Sequence, residues 1–307
     1  MGILQPFGAT MFFLKKMIPG RAKAYVHNLA REKIWQYRQS TWRSRVLPDF
    51  IIIGAQKSGT TSLYAHLSQH PQLWPSIVKE VHYFDGGRDP TLNNFEMGEA
   101  WYRAHFPFKK LVGKHQEVFE ASPLYIFNPW APRRIFELVP KVKIIAMLRN
   151  PTERSISHYF HERRMNRETL SLCEALQKED TRLQNVLKKK NYKHHNFVYK
   201  AYKARGVYKE QLERYLSYFP RQQIMVLKSE DFFNDPSNTI KQVFEFVGVD
   251  PRFKINDLEP RNVAMNRNDV DPEIYEYLNN YFKPHNQELY ELLKENYKCL
   301  CCQTFSF

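Results

Sequence analysis

The chain has 307 residues, and 46 Lys plus Arg against 32 Asp plus Glu give it a formal charge of +14. That length buries a core without disulfide staples, and the basic excess favours polyanionic partners: a nucleotide, an acidic glycan, nucleic acid or an anionic membrane. No linker, internal repeat or low-complexity block divides the sequence.

Residues 1–47 read as a basic helical extension to a domain over 48–307. The apolar stretch at 7–14 is much shorter than the ~20 residues that span a bilayer. Lys15 and Lys16 follow it, whereas a secretory signal carries its positive residues first. From Arg21 to Arg45, Tyr25, Trp35, Tyr37 and Trp42 are spaced among Arg and Lys. That pattern suits a basic amphipathic helix on an anionic membrane, or a helix packed outside the core. Pro6 stands where a myristoylation signal needs Ser or Thr.

Phe50, Ile51, Ile52 and Ile53 predict a strand buried on both faces, as in a parallel sheet. Gly54 and Gly59 then bound a tight turn whose N–H groups point inward, and Thr60, Thr61 and Ser62 open a helix over 60–68. Unpaired N–H groups and a positive dipole end make an anion site there, suited to a phosphate or sulfate ester. A nucleoside-triphosphate loop would place lysine directly after the second glycine. Here Thr60 occupies that place, and the lysine is Lys57 inside the loop.

Further strands are predicted over 118–120, 143–148 and 223–227, with helices over 133–138 and 237–247. Asn150 and Pro151 break the chain after the 143–148 strand, and Pro151 suits the first turn of the next helix. The alternation predicts an α/β fold with a central parallel sheet flanked by helices. Ligands of such sheets bind beyond the carboxyl ends of strands, and Lys57, Glu120 and Arg149 all fall there.

Three segments together resemble the signatures of sulfotransferases that use 3′-phosphoadenylyl sulfate (PAPS). Gly54-Ala55-Gln56-Lys57-Ser58-Gly59-Thr60-Thr61-Ser62-Leu63 is similar to the family's 5′-phosphosulfate loop. Met147-Leu148-Arg149-Asn150-Pro151-Thr152-Glu153-Arg154-Ser155-Ile156-Ser157-His158-Tyr159 resembles its 3′-phosphate signature. Lys79-Glu80-Val81-His82-Tyr83-Phe84-Asp85 is similar to the catalytic segment of the heparan-sulfate and carbohydrate branch. The resemblance runs from about 48 to about 293 and implies a P-loop-like, three-layer fold.

It also implies roles. Backbone donors of Ser58, Gly59, Thr60, Thr61 and Ser62 would cradle the phosphosulfate of PAPS, with Lys57 neutralising charge on the bridging oxygen. Arg149 and Ser157 would hold the 3′-phosphate, joined by Arg261 from the segment Glu259-Pro260-Arg261-Asn262-Val263-Ala264, which resembles a closing loop. Glu80 is the expected general base, with His82 and Asp85 beside the acceptor pocket. In an extended segment Glu80 and His82 share a face. His82 is the alternative base, as in enzymes sulfating small molecules or lipids. Glu120 and Tyr208 are expected to line the acceptor site, a structural salt bridge and a core aromatic being the competing readings. The branch usually has lysine where Ala121 stands. Either Lys79, Lys114 or another cation replaces it, or the acceptor is not a heparan-like polymer.

The expected reaction is sulfonyl transfer from PAPS to a hydroxyl or amine of a carbohydrate-type acceptor, without a metal and without a nucleic-acid partner. A P-loop nucleotide kinase is the alternative from another enzyme class, and a nucleic-acid binder the non-catalytic one. His158 with His161, and His194 with His195, lack a partner carboxylate pattern for a metal, and Lys188, Lys189 and Lys190 suit a solvated face or a polyanion. Cys173, Cys299, Cys301 and Cys302 allow no pairing to be assigned. A cytoplasmic location with possible peripheral membrane contact through the N-terminal segment is expected, a Golgi-lumen enzyme being the alternative.

Overall fold

The computed structural model describes residues 20–261 and 270–296. The apolar stretch at 7–14, positions 262–264 of the closing segment, and Cys299, Cys301 and Cys302 lie outside the described residues. Helix α1 (Gly20–Ser40) precedes strand β1 (Phe50–Gly54), the loop at 55–59 and helix α2 (Thr60–Leu67). A short strand β2 (Leu73–Pro75), helix α3 (Gly98–Arg103), β3 (Glu117–Ala121), α4 (Ala131–Leu138) and β4 (Lys143–Leu148) follow. Helices α5 (Pro151–Arg164), α6 (Leu172–Gln177), α7 (Glu179–Lys188), α8 (His195–Tyr199) and α9 (Tyr208–Leu216) lead to β5 (Ile224–Lys228). The last helices are α10 (Ser229–Asn234), α11 (Pro236–Val247) and α12 (Pro272–Asn296).

All strands are parallel, in the order β2-β3-β1-β4-β5. The fully apolar β1 therefore sits in the middle, between β3 and β4. Its alternating side chains enter two different layers. Ile51 and Ile53 join a core with Ile135 of α4 and Leu212 of α9, whereas Phe50 and Ile52 join Leu63 of α2 and Val243 of α11. Helices thus cover both faces, which is why β1 has no polar side.

Helix α1 docks by its final turns. Arg38 donates to the carbonyl oxygens of Ala104 and Phe106 at 2.5 and 2.9 Å, and Trp35 meets Trp101 and His105 edge-on. Residues 30–34 are exposed, and Ile34 keeps 59% of its surface accessible.

Candidate active site

The loop after β1 is held from several sides. Ala55 N–H donates to the Met147 carbonyl at 2.7 Å, and Ser229 Oγ donates to the Ser58 carbonyl at 2.9 Å. Arg149 Nη1 donates to the Lys57 carbonyl at 3.2 Å, and buried Arg205 donates to Gln56 Oε1. Gly59 sits at φ 93° at the start of α2, where a Cβ would be strained and would press on Phe233. No side chain caps α2, so its first N–H groups face the loop without a side-chain acceptor.

Two observations suit this loop to an anion. The Ser58 hydroxyl is buried without a partner of good hydrogen-bond geometry, its neighbour Tyr208 donating instead to the Arg149 carbonyl at 3.0 Å. Cations also crowd the same place. Burial, then Arg205, Arg154 and Lys57, drive buried His158 well below its ordinary pKa. Such a concentration of positive charge is relieved by an anion.

Arg149 lies just beyond β4, and Asn150 caps α5 by accepting from Thr152 N–H at 3.0 Å and Glu153 N–H at 3.2 Å. Pro151 occupies the first turn, as expected. Ser157 is buried in the second turn of α5. Arg261 is distant in sequence yet docks on the loop helix: its N–H donates to Ser62 Oγ at 2.8 Å, and its side chain pairs with Asp257.

The segment 79–85 runs beyond the end of β3, where Glu80 N–H donates to the Ala121 carbonyl at 2.9 Å. It is not extended. Glu80 and His82 take left-handed backbone angles, φ 65° and 53°. Their side chains nevertheless meet, His82 Nε2 lying 3.3 Å from Glu80 Oε2. Lys79 Nζ contacts Glu80 Oε1 at 2.7 Å, and Arg88 Nη2 contacts Oε2 at 2.6 Å. Burial alone would raise the Glu80 carboxyl, but His82, Lys79 and Arg88 outweigh it and hold the group well below the carboxylate range. Burial likewise opposes a charge on His82, yet Asp85 and Glu80 outweigh it and raise the imidazole.

Three expected acceptor contacts are corrected. Asp85 is fully buried; Oδ2 lies 2.6 Å from His82 Nδ1 and Oδ1 accepts from Gly87 N–H, so it orients the imidazole. Glu120 points inward from β3 and is bonded to Tyr102 and Ser122, because it shares the buried face of Val118. Tyr208 is buried and spends its hydroxyl on the Arg149 carbonyl. Of the cations offered for the place of the missing lysine, Lys79 reaches Glu80, whereas exposed Lys114 lies before β3, at the opposite end of that strand from Ala121. Arg88, Arg205 and Ser229 were missed in the sequence, where no motif marks them.

A parallel sheet of this order, with an anion loop after its central strand, places the molecule in the P-loop-like class of α/β proteins. Within that class the chain belongs to the sulfotransferase family, whose model, described as a sulfotransferase domain, matches residues 47–289. It is 27% identical over 321 residues to a membrane-associated sulfotransferase, kil1, of Dictyostelium discoideum, covering 82% of this chain and 66% of that one. It is 28% identical over 273 residues to the mouse bifunctional heparan sulfate N-deacetylase/N-sulfotransferase 4, covering 80% of this chain but 30% of that enzyme. The chain thus spans less than two thirds of either relative. A sulfotransferase from Alicyclobacillus acidocaldarius of solved structure matches at a TM-score of 0.66 and 32% identity, over 81% of this chain and 96% of that one.

Proposed function

We propose that the protein transfers the sulfonyl group of PAPS to a hydroxyl or amine of a carbohydrate-type acceptor by in-line displacement. The observation that carries this reading is the meeting of Arg149 with the backbone of Lys57, together with the meeting of Glu80 and His82 in the segment joined to the end of β3. A donor held at its 3′-phosphate by Arg149, Ser157 and Arg261, and at its phosphosulfate by Lys57 and residues 58–62, would present sulfur toward that strand end. Glu80 takes the acceptor proton as the new bond to sulfur forms. The bond from sulfur to the bridging phosphate oxygen breaks, Lys57 balances the charge left there, and adenosine 3′,5′-bisphosphate leaves.

Glu80 is preferred to His82 as base because the imidazole is engaged at both nitrogens by carboxylates and is raised in pKa, the state of a donor. A carbohydrate acceptor is supported by the resemblance of 79–85 to the carbohydrate branch and by the heparan sulfate relative. Titration with adenosine 3′,5′-bisphosphate and with Mg-ATP, followed by an acceptor screen with labelled PAPS, tests the reading. Preference for ATP, or a screen in which no acceptor takes up label, would overturn it.

Domain limits of 1–47 and 48–307 and peripheral membrane contact through α1 belong to the same proposal. Exposed Ile34 and Tyr37 beside Arg31 and Lys33 support the contact, as does the membrane-associated relative. No helix among the described residues is long and apolar enough to cross a membrane. Cys173 is an exposed free thiol, which fits the proposed cytoplasmic location. Co-sedimentation with phosphatidylserine vesicles, lost in Ile34→Glu, is the expected result.

A further inference from the structure

Glu120 is a fully buried carboxylate near the site. Its oxygens collect hydroxyls. Tyr102 Oη lies 2.5 Å from Oε1, Ser122 Oγ donates to Oε2 at 3.0 Å, and Tyr125 Oη lies 3.4 and 3.5 Å from the two oxygens. Two of these hydroxyls are relays. Ser122 Oγ accepts the N–H of His82 at 3.1 Å, and Tyr125 Oη accepts the N–H of Tyr83 at 2.8 Å and of Phe84 at 3.4 Å.

The polarity of this array matters more than its existence. A hydroxyl has one proton and two lone pairs. Because Ser122 and Tyr125 give their protons to Glu120, their lone pairs are turned toward the backbone of 82–84. Those N–H groups belong to a segment whose Glu80 and His82 sit in the left-handed region, which costs a non-glycine residue energy and persists only where the surroundings over-determine it. Remove the acceptor at Glu120, and both hydroxyls are free to rotate away. The segment then loses the contacts that hold His82 against Glu80.

We propose that Glu120 is a positioning residue: through Ser122 Oγ and Tyr125 Oη it fixes the backbone of His82, Tyr83 and Phe84 and so aims Glu80 and His82 at the acceptor. This rests on the proposed sulfonyl transfer for its kinetic consequence, though not for its geometric one. The contact with Tyr102 accommodates the proton of the neutral acid and leaves Oε2 an acceptor in either protonation state.

Three variants test it: Glu120→Met, which removes both acceptor oxygens at nearly constant volume; Ser122→Ala; and Tyr125→Phe. Each is expected to lower kcat roughly ten- to a hundredfold, the scale of a misplaced reacting group. The Kd for adenosine 3′,5′-bisphosphate should stay at the wild-type value, because none of the three touches the phosphate loop. The deciding readout is the imidazole spectrum of protein labelled with ¹⁵N-histidine, in which the His82 signals should move in every variant while those of His70 stay put. Wild-type His82 signals in the folded variants would overturn the proposal, whatever the thermal stability does. If Glu120→Met fails to fold, the two single-hydroxyl deletions decide the matter alone. A wild-type protein that transfers no sulfonyl group would remove the proposed function, and the His82 spectra would still decide the role of Glu120.

Discussion

The Arg149 guanidinium donates to the carbonyl oxygen of Lys57 at 3.2 Å, across two strand ends separated by 92 positions in the chain. That contact ties the loop after β1 to the end of β4. The same guanidinium contacts Glu153 Oε2 at 3.3 Å, so it is braced from its own helix as well. A planar fork held on two sides loses little freedom when an anion arrives, which suits the bidentate recognition of a phosphate.

Arg149→Ala is accordingly expected to weaken adenosine 3′,5′-bisphosphate by roughly ten- to a hundredfold, the value of a charged hydrogen bond of about 1.5–3 kcal/mol. Adenosine 5′-phosphosulfate, which lacks the 3′-phosphate, should be affected far less. Calorimetric titration of both ligands checks this, and equal losses would make Arg149 structural.

Glu80→Gln should leave nucleotide affinity intact and lower kcat by about 10²–10⁴, the range of general-base contributions. Single-turnover kinetics with labelled PAPS measures it. Near-normal turnover would transfer the role of base elsewhere.

Arg88 touches Glu80 Oε2 at 2.6 Å and is partly exposed, so its charge holds the carboxylate ionised from the solvent side. Arg88→Ala should move the acid limb of the kcat/KM profile upward, by on the order of one pH unit. An unmoved limb would show that Arg88 does not govern this carboxylate.

Two buried carboxyls should each make stability fall as pH rises. Glu120 and Glu179 are buried and pushed up to about 7 from an ordinary 4.5, burial being the largest cause for each. A raised carboxyl contributes stability that is complete below about 4.5 and is lost as pH climbs through about 7. His82, raised above its ordinary 6.5, adds a loss in the same direction at higher pH. Glu80, held low, acts oppositely and costs stability only as pH falls below 4.5. His105 and His161, lowered to about 4 chiefly by burial, act oppositely and add stability as pH rises toward 6.5. The part of Glu179 is therefore read by difference: the Tm of Glu179→Gln relative to wild type should rise from pH 5 to pH 8, and a constant difference would show that Glu179 does not titrate in this range.

The strands were legible because buried apolar runs need no partner to be recognised. Those predicted over 143–148 and 118–120 appear as Lys143–Leu148 and Glu117–Ala121. Strand β2 was not foreseen, since Leu73, Trp74 and Pro75 make too short a run to carry a period. Among the site residues, Arg149 meets Lys57, His82 meets Glu80, and Arg261 reaches Ser62. Asp85, Glu120 and Tyr208 lie near strand ends but point inward. Proximity along the chain marks a position and leaves open which way a side chain turns. For Glu120 alternation held no clue, because both faces of β3 are buried.

What the sequence determined by itself is local. A glycine that takes a left-handed turn without strain, an isoleucine run with no polar face, and Asn150 with Pro151 opening a helix all act within a few residues. The tertiary structure decided what meets at that turn: Arg205 on Gln56, Ser229 on Ser58, and Arg261 on Ser62 across 199 positions. These meetings depend on the strand order 2-3-1-4-5 and on helices crossing between strands. Short-range propensities carry no record of that order. Only the packing of the two faces of β1 selects it.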